Sequence, residues 1–136
     1  MDHKPPAPLC KAFLPCRHLM QDIGSKEFIL LGPTHQMVAP VYPMIGSLAF
    51  FAQCTTMQGS YILQLQLQDM EGNVQWHQKM DPPWECNDPQ SGAYLSLQNM
   101  GVYFPRPGKY DIVLLANDDE IARVPFWAQP PGSPET

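Results

Sequence analysis

The sequence predicts an all-β domain, an antiparallel sandwich of about nine short strands. Three observations predict it. First, Tyr61-Ile62-Leu63-Gln64-Leu65-Gln66-Leu67-Gln68-Asp69 alternates strictly, with Tyr61, Leu63, Leu65 and Leu67 on one face and Ile62, Gln64, Gln66 and Gln68 on the other. A period of two marks a strand with one buried and one wet face, and parallel strands buried on both faces would instead read as continuous apolar runs. Second, short apolar runs recur along the whole chain, separated by Gly, Pro, Asn and Asp, which is turn chemistry. Third, no amphipathic run of helical length appears, and the 16 prolines lie at the termini and at segment edges, where they break no ladder.

In chain order, Leu9 to Met20 reads as a first strand, bent near Pro15, and Gln21 to Lys26 as a turn. Glu27 to Leu31 is a second strand ended by Gly32-Pro33, and Thr34 to Ala39 a third ended by Pro40. Val41 to Gly46 reads as a connection between sheets. Ser47 to Thr55 carries Leu48, Phe50, Ala52 and Cys54 on one parity and Ala49 and Phe51 on the other, the pattern of a central strand or of one whose outer face is covered. The alternating strand follows, then a tight turn at Asp69 to Asn73 with Gly72 free to take a positive φ, then Val74 and Trp76 sharing a face. Asp81 to Gly92 reads as one long irregular loop, since three prolines forbid a helix. Ala93 to Gln98, Lys109 to Ala116 and Ile121 to Trp127 complete the strands, the last two joined by a hairpin turn at Asn117 to Glu120.

A chain of 136 residues is the size of one domain and can bury about two-thirds of its unfolded surface. We expect a disordered arm over 1–8, the sandwich over 9–128 and a flexible tail over 129–136. The formal net charge is -5, and the eight Lys and Arg residues are scattered singly. A nucleic-acid binder usually shows a basic stripe, and an anionic membrane is recognised by basic clusters, so neither partner is expected. No apolar run is long enough to span a bilayer, and no apolar segment follows Met1 to Pro6 as a signal peptide would require. A cytoplasmic protein with reduced thiols is the expectation for Cys10, Cys16, Cys54 and Cys86.

Phe104-Pro105-Arg106-Pro107-Gly108-Lys109-Tyr110 resembles the Pro-Gly-x-Tyr corner of immunoglobulin-like sandwiches, in which a tyrosine hydroxyl returns to the backbone of the corner. The resemblance gives Tyr110, Gly108 and Pro105 structural roles and implies an immunoglobulin-like antiparallel β-sandwich. The paired cysteines and core tryptophan of antibody domains are missing. The order of Leu30-Leu31-Gly32, Ala39 to Pro43, Gly59-Ser60-Tyr61, Asp69 to Gly72 and the corner is similar to that of an uncharacterised bacterial family of small β-sandwich proteins, over roughly Leu9 to Ala128. That resemblance implies a fold and transfers no activity.

Chemistry is sparse. Cys10, Cys16 and His18 lie close in sequence, and Cys54, His77 and Cys86 can approach in space, but Cys10 and Cys16 are spaced wider than structural zinc prefers. Cys54 shares parity with Leu48 and Phe50 and reads as a small core residue. His3, His18, His35 and His77 offer bases, yet none stands in a nucleophile context. Asp118-Asp119-Glu120 reads as a solvated turn, and no phosphate-cradling Gly loop occurs. No catalytic residue, metal or cofactor is expected.

Binding candidates come from elsewhere. Trp84, with Glu85 beside it, sits among prolines in the long loop, which would present it at low entropic cost; the alternative is that Trp84 folds back to cap the sandwich. Tyr94 falls on the parity opposite to Leu95 and Leu97 and reads as exposed. With Trp84 it suggests a carbohydrate or small-ligand site, a reading Trp76 and Trp127 also raise, although aromatics in strands are normally packing residues. The uncharged face of Gln64 and Gln66 suggests a protein partner or self-association. A non-catalytic interaction or structural module is therefore expected, with the ligand-binding sandwich as the alternative and a small metalloprotein or enzyme as the third reading.

Overall fold

A computed structural model describes residues 6–86 and 93–132. These form strands β1 (Leu9–Gln21), β2 (Phe28–Pro33), β3 (Gln36–Val38), β4 (Met44–Thr55), β5 (Gly59–Tyr61), β6 (Leu63–Gln68), β7 (Val74–Lys79), β8 (Trp84–Cys86), β9 (Ala93–Phe104), β10 (Gly108–Ala116) and β11 (Asp119–Gln129). The protein is all-β. One sheet has the order β2-β1-β4-β9 and a second the order β3-β11-β10-β6-β7, with β5 and β8 forming a separate pair. Pairing is antiparallel except between β3 and β11.

The two larger sheets share one core. Phe13, Leu48, Phe50, Val102 and Phe104 enter it from the four-stranded sheet, and Leu63, Leu65, Leu67, Ile112, Leu114 and Phe126 from the five-stranded sheet. The period-two reading holds in β6, where Leu63, Leu65 and Leu67 are buried and Gln64, Gln66 and Gln68 half-buried. The strand does not, however, run unbroken from Tyr61. It parts at Ile62, whose N–H donates to Asn117 Oδ1 (2.8 Å) and whose carbonyl accepts from the Asn117 amide (2.9 Å). Asn117 and Asp118 both take positive φ, 49° and 70°, the conformation of a two-residue hairpin turn. The hairpin tip thus also clamps β5 beside β6.

Other differences are extensions. β4 starts at Met44, β9 runs on to Phe104, and β2 takes in Gly32 and Pro33 as its last two residues. The loop expected over 81–92 contains a strand, because Trp84, Glu85 and Cys86 pair with Tyr61, Ser60 and Gly59. The remainder of that loop, 87–92, lies outside the described residues, as do 1–5 of the expected arm and 133–136 of the expected tail. Pro8 is buried, and the carbonyl of Pro6 accepts a 2.7 Å bond from the Tyr61 hydroxyl.

Buried and half-buried tyrosines find backbone carbonyls for their hydroxyls, as an enclosed phenol needs. The Tyr42 hydroxyl donates to Gln129 (2.8 Å) and that of Tyr110 to Arg106 (2.5 Å). Tyr110 therefore bridges the bend of Pro105 to Pro107 back onto the first turn of its own strand, and Gly108, at φ 151°, opens that strand.

The β6–β7 turn is organised by Asp69. Its Oδ1 accepts from the amides of Asn73 (2.9 Å) and Glu71 (3.0 Å), and Arg106 lies 3.7 Å from Oδ2. The Asn73 amide, then the Glu71 amide and the Arg106 charge, hold the Asp69 carboxyl below the usual carboxylate range. A folded-state pKa below the unfolded one contributes stability above the unfolded value, and that contribution is lost as pH falls through the folded one. Asp69→Asn keeps the acceptor and removes the titration. Its stability is expected to fall less steeply than that of the wild type below about pH 4, measured by denaturant unfolding across an acid series.

Candidate interaction surface

The outer face of the four-stranded sheet carries a second, smaller apolar cluster. Cys16, Leu19 and Ala49 are buried there, with Phe28, Leu30 and Phe51 packed against them. β1 pairs with β4 only as far as Cys16, opposite Ala49. Beyond that point the β1–β2 hairpin lays Leu19, Phe28 and Leu30 onto Cys16, Ala49 and Phe51. Cys16 and Leu19 differ in parity yet share this cluster, so the strand pair changes face between them. The change falls at Gly32, whose φ is 65° and over which the Arg17 side chain packs, 3.1 Å from where a Cβ would stand. The apolar residues on both parities of β4 are thereby explained: its inner face fills the main core and its outer face is covered by the hairpin.

At the rim of this cluster three rings meet. Phe51 lies 5.5 Å from Phe28 and 5.6 Å from Tyr94, and Phe28 lies 5.6 Å from Tyr94. In the β4–β9 register Gln53 faces Tyr94 and Phe51 faces Ser96, so Phe51 and Tyr94 are diagonal neighbours on one face, within reach for rings. The rings, with Lys26, Glu27 and Leu30, line an open groove of about 410 Å³. Tyr94 is 52% exposed.

The other sequence candidates lie elsewhere. Trp84 is half-buried and packs against the main core. It lines a cleft of about 510 Å³ with Lys79, Asp81, Leu95 and Leu97. Leu95 and Tyr94 are on opposite faces of β9, and Trp84 and Tyr94 therefore do not converge on one site. Glu85 is exposed, opposite Ser60. Trp76 packs on the core; Trp127 lies under Lys109 Nζ, 5.2 Å from its ring, and beside His35.

Gln64 and Gln66 share the outer face of the five-stranded sheet. Gln64 Nε2 is 3.3 Å from His77 Nδ1, and Gln66 Oε1 accepts from Gln68 (2.9 Å). That face is not the uncharged plane its glutamines suggest. Arg123 reaches across it to Asp111 (2.8 Å), Glu120 (2.8 Å) and Gln68 (3.1 Å), and its guanidinium lowers the Glu120 carboxyl pKa. Residues 63–68 alone could not reveal an arginine two strands away. Phe28 and Phe51, the groove residues that sequence reasoning missed, did leave a signal: each is a large ring on the parity opposite to its strand's main apolar row or at the start of an apolar edge strand.

The cysteines occupy different surroundings. Cys10 and Cys54 are directly opposite across β1 and β4. Hydrogen bonding from Cys54 lowers the Cys10 thiol to about 7, while Cys54, fully buried, is pushed up by Cys10 and by burial. Cys16 sits in the outer cluster, where burial raises its pKa. Among the described residues no three His, Cys, Asp or Glu side chains gather as a metal site, and no helix is long and apolar enough to cross a membrane.

A search of curated proteins finds no match. Among solved structures the chain is similar to Pseudomonas fluorescens alkylpurine DNA glycosylase AlkC bound to DNA containing an abasic site analog. Identity is 10% and the TM-score 0.42, and the match covers 86% of this chain but only 30% of that one. So distant a likeness carries no argument about what this chain binds. The expectation of no nucleic acid is withdrawn, because it rested only on the spacing of Lys and Arg along the sequence. The physical reason is that cations scattered in sequence are not thereby scattered in space, so their spacing along the chain excludes no partner. Across residues 11–129 the sequence matches the model of the Family of unknown function (DUF6941), and the chain belongs to that family.

Proposed function

We propose that this chain is a non-catalytic protein-interaction module on an immunoglobulin-like sandwich, working through the outer face of its four-stranded sheet. The observation that carries the reading is the meeting of Phe28, Phe51 and Tyr94 around an open groove. Rings at a rim offer large contact area at low entropic cost, and aromatic anchors dominate binding energy where they are desolvated. The Tyr110–Arg106 bond supports the immunoglobulin-like assignment, because it is the geometry of a tyrosine corner. A bacterial, cytoplasmic setting follows the family resemblance and the thiol character of the cysteines.

Capture of proteins by the tagged full chain from the cell that makes it tests the reading. Tyr94→Asp alters a half-exposed ring and leaves the core intact. A protein retained by the wild type and lost with Tyr94→Asp supports the module, and equal retention by both chains contradicts the groove. The second reading, a carbohydrate or small-ligand binder, is favoured by the half-exposed Tyr94 ring beside Phe28 and Phe51. A glycan that perturbs Tyr94 resonances, with no protein retained, would favour it.

A further inference from the structure

We propose that the groove side of the β1–β2 hairpin is a self-association edge, at which β2 pairs antiparallel with β2 of a second copy about a twofold axis. The inference rests on the interaction-module reading and names its partner.

The hydrogen-bond phase of the hairpin carries it. The Asp22 amide donates to the Glu27 carbonyl (2.8 Å). Bonded and non-bonded pairs alternate along an antiparallel ladder, and the register sets Met20 opposite Ile29 and His18 opposite Leu31. Ile29 and Leu31 therefore spend their backbone groups on β1. Phe28 and Leu30 direct theirs away from it, and β2 is the outermost strand of its sheet.

Edge strands are usually protected by lysine, inward charges or a covering element. β2 reads Phe-Ile-Leu-Leu-Gly-Pro and carries no charge. Its solvent-side residues Ile29 and Leu31 are 42% and 46% exposed, and Met20 beside them 44%. The flanking Lys26 and Glu27 cancel, so the strand brings no net charge against its own copy. An antiparallel strand edge is self-complementary under a twofold axis. With Ile29 opposite Ile29 of the second copy, Phe28 faces Leu30 in both directions, which satisfies every outward amide and carbonyl of those residues. The side chains of Phe28 and Leu30 then extend the row over the groove floored by Phe51 and Tyr94.

Sedimentation of the full chain over a concentration series, with residue-resolved amide exchange, tests this. The expected result is a concentration-dependent dimer in which the Phe28 and Leu30 amides are protected. Ile29→Lys places a gatekeeping charge on a half-exposed site. It is expected to weaken the dimer roughly tenfold or more and to restore fast exchange at Phe28 and Leu30, with Leu31→Lys, at a second exposed site, confirming the effect. A wild type that stays monomeric at its highest soluble concentration overturns the proposal. So does a dimer that survives Ile29→Lys with the Phe28 and Leu30 amides unprotected. Neither result touches the capture experiment with Tyr94→Asp, in which a different protein on the groove would leave the module reading standing.

Discussion

Phe104→Ala is expected to lower the free energy of unfolding by about 3–5 kcal/mol, a large part of what a domain of this size possesses. Phe104 ends β9 and is fully buried. Its ring lies edge-on to Tyr110 on β10 and stacks on Phe126 on β11, both at 5.6 Å. It is thus the point at which the four-stranded sheet grips the other, beside the corner closed by the Tyr110 hydroxyl. Truncation leaves a cavity between two sheets that cannot approach each other without breaking their own ladders, so little of the lost packing is recovered. Denaturant unfolding of the two chains checks the value, and a loss below about 1 kcal/mol would mean that the sheets are not clamped there.

Leu65→Ala is expected to cost about 2–5 kcal/mol, whereas Gln66→Ala should change stability by about 0.5 kcal/mol or less. The residues are adjacent, yet Leu65 is fully buried between Leu114 on β10 and Gln78 on β7, while Gln66 lies half-buried on the outer face. A strand turns successive side chains to opposite faces, and the contrast measures that periodicity in energy. Similar losses for both variants in the same unfolding assay would contradict the assigned register.

Strict alternation made Leu63 to Gln68 readable because one face meets a continuous core and the other meets water. The same rule misread Tyr61 as part of that strand: parity survives across Ile62, but the bonds that part β5 from β6 come from Asn117, more than fifty residues away. Trp84 had no strand pattern to reveal it, since three residues among prolines are too few to show a period, and its partner strand is β5. Tyr94 was legible as exposed from its parity against Leu95. Its ring neighbours were not, because Phe28 reaches it only after β1 parts from β4 and changes face at Gly32. Gly32 and Pro33 close β2 as a glycine and a proline side by side suggest, but the sequence did not show that Gly32 also carries the change of face.

The groove and the β2 edge are consequences of that one bend. Without it, Leu19, Phe28 and Leu30 could not settle on Cys16, Ala49 and Phe51, and the outer face of β4 would lie bare. With it, the covered area stops at Phe28, and Tyr94 stands at the boundary between the packed cluster and solvent. The outer face of the five-stranded sheet differs in kind: glutamines bond one another, and Arg123 is held by two carboxylates. Its polar groups are already paired within the chain.

The most direct test of the central claim is parallel capture with the wild-type chain, Tyr94→Asp and Gln66→Lys. The account predicts that a protein other than a second copy of this chain is retained by the wild type and by Gln66→Lys and lost with Tyr94→Asp. Loss with Gln66→Lys and retention with Tyr94→Asp would move the working surface to the five-stranded sheet and contradict the account.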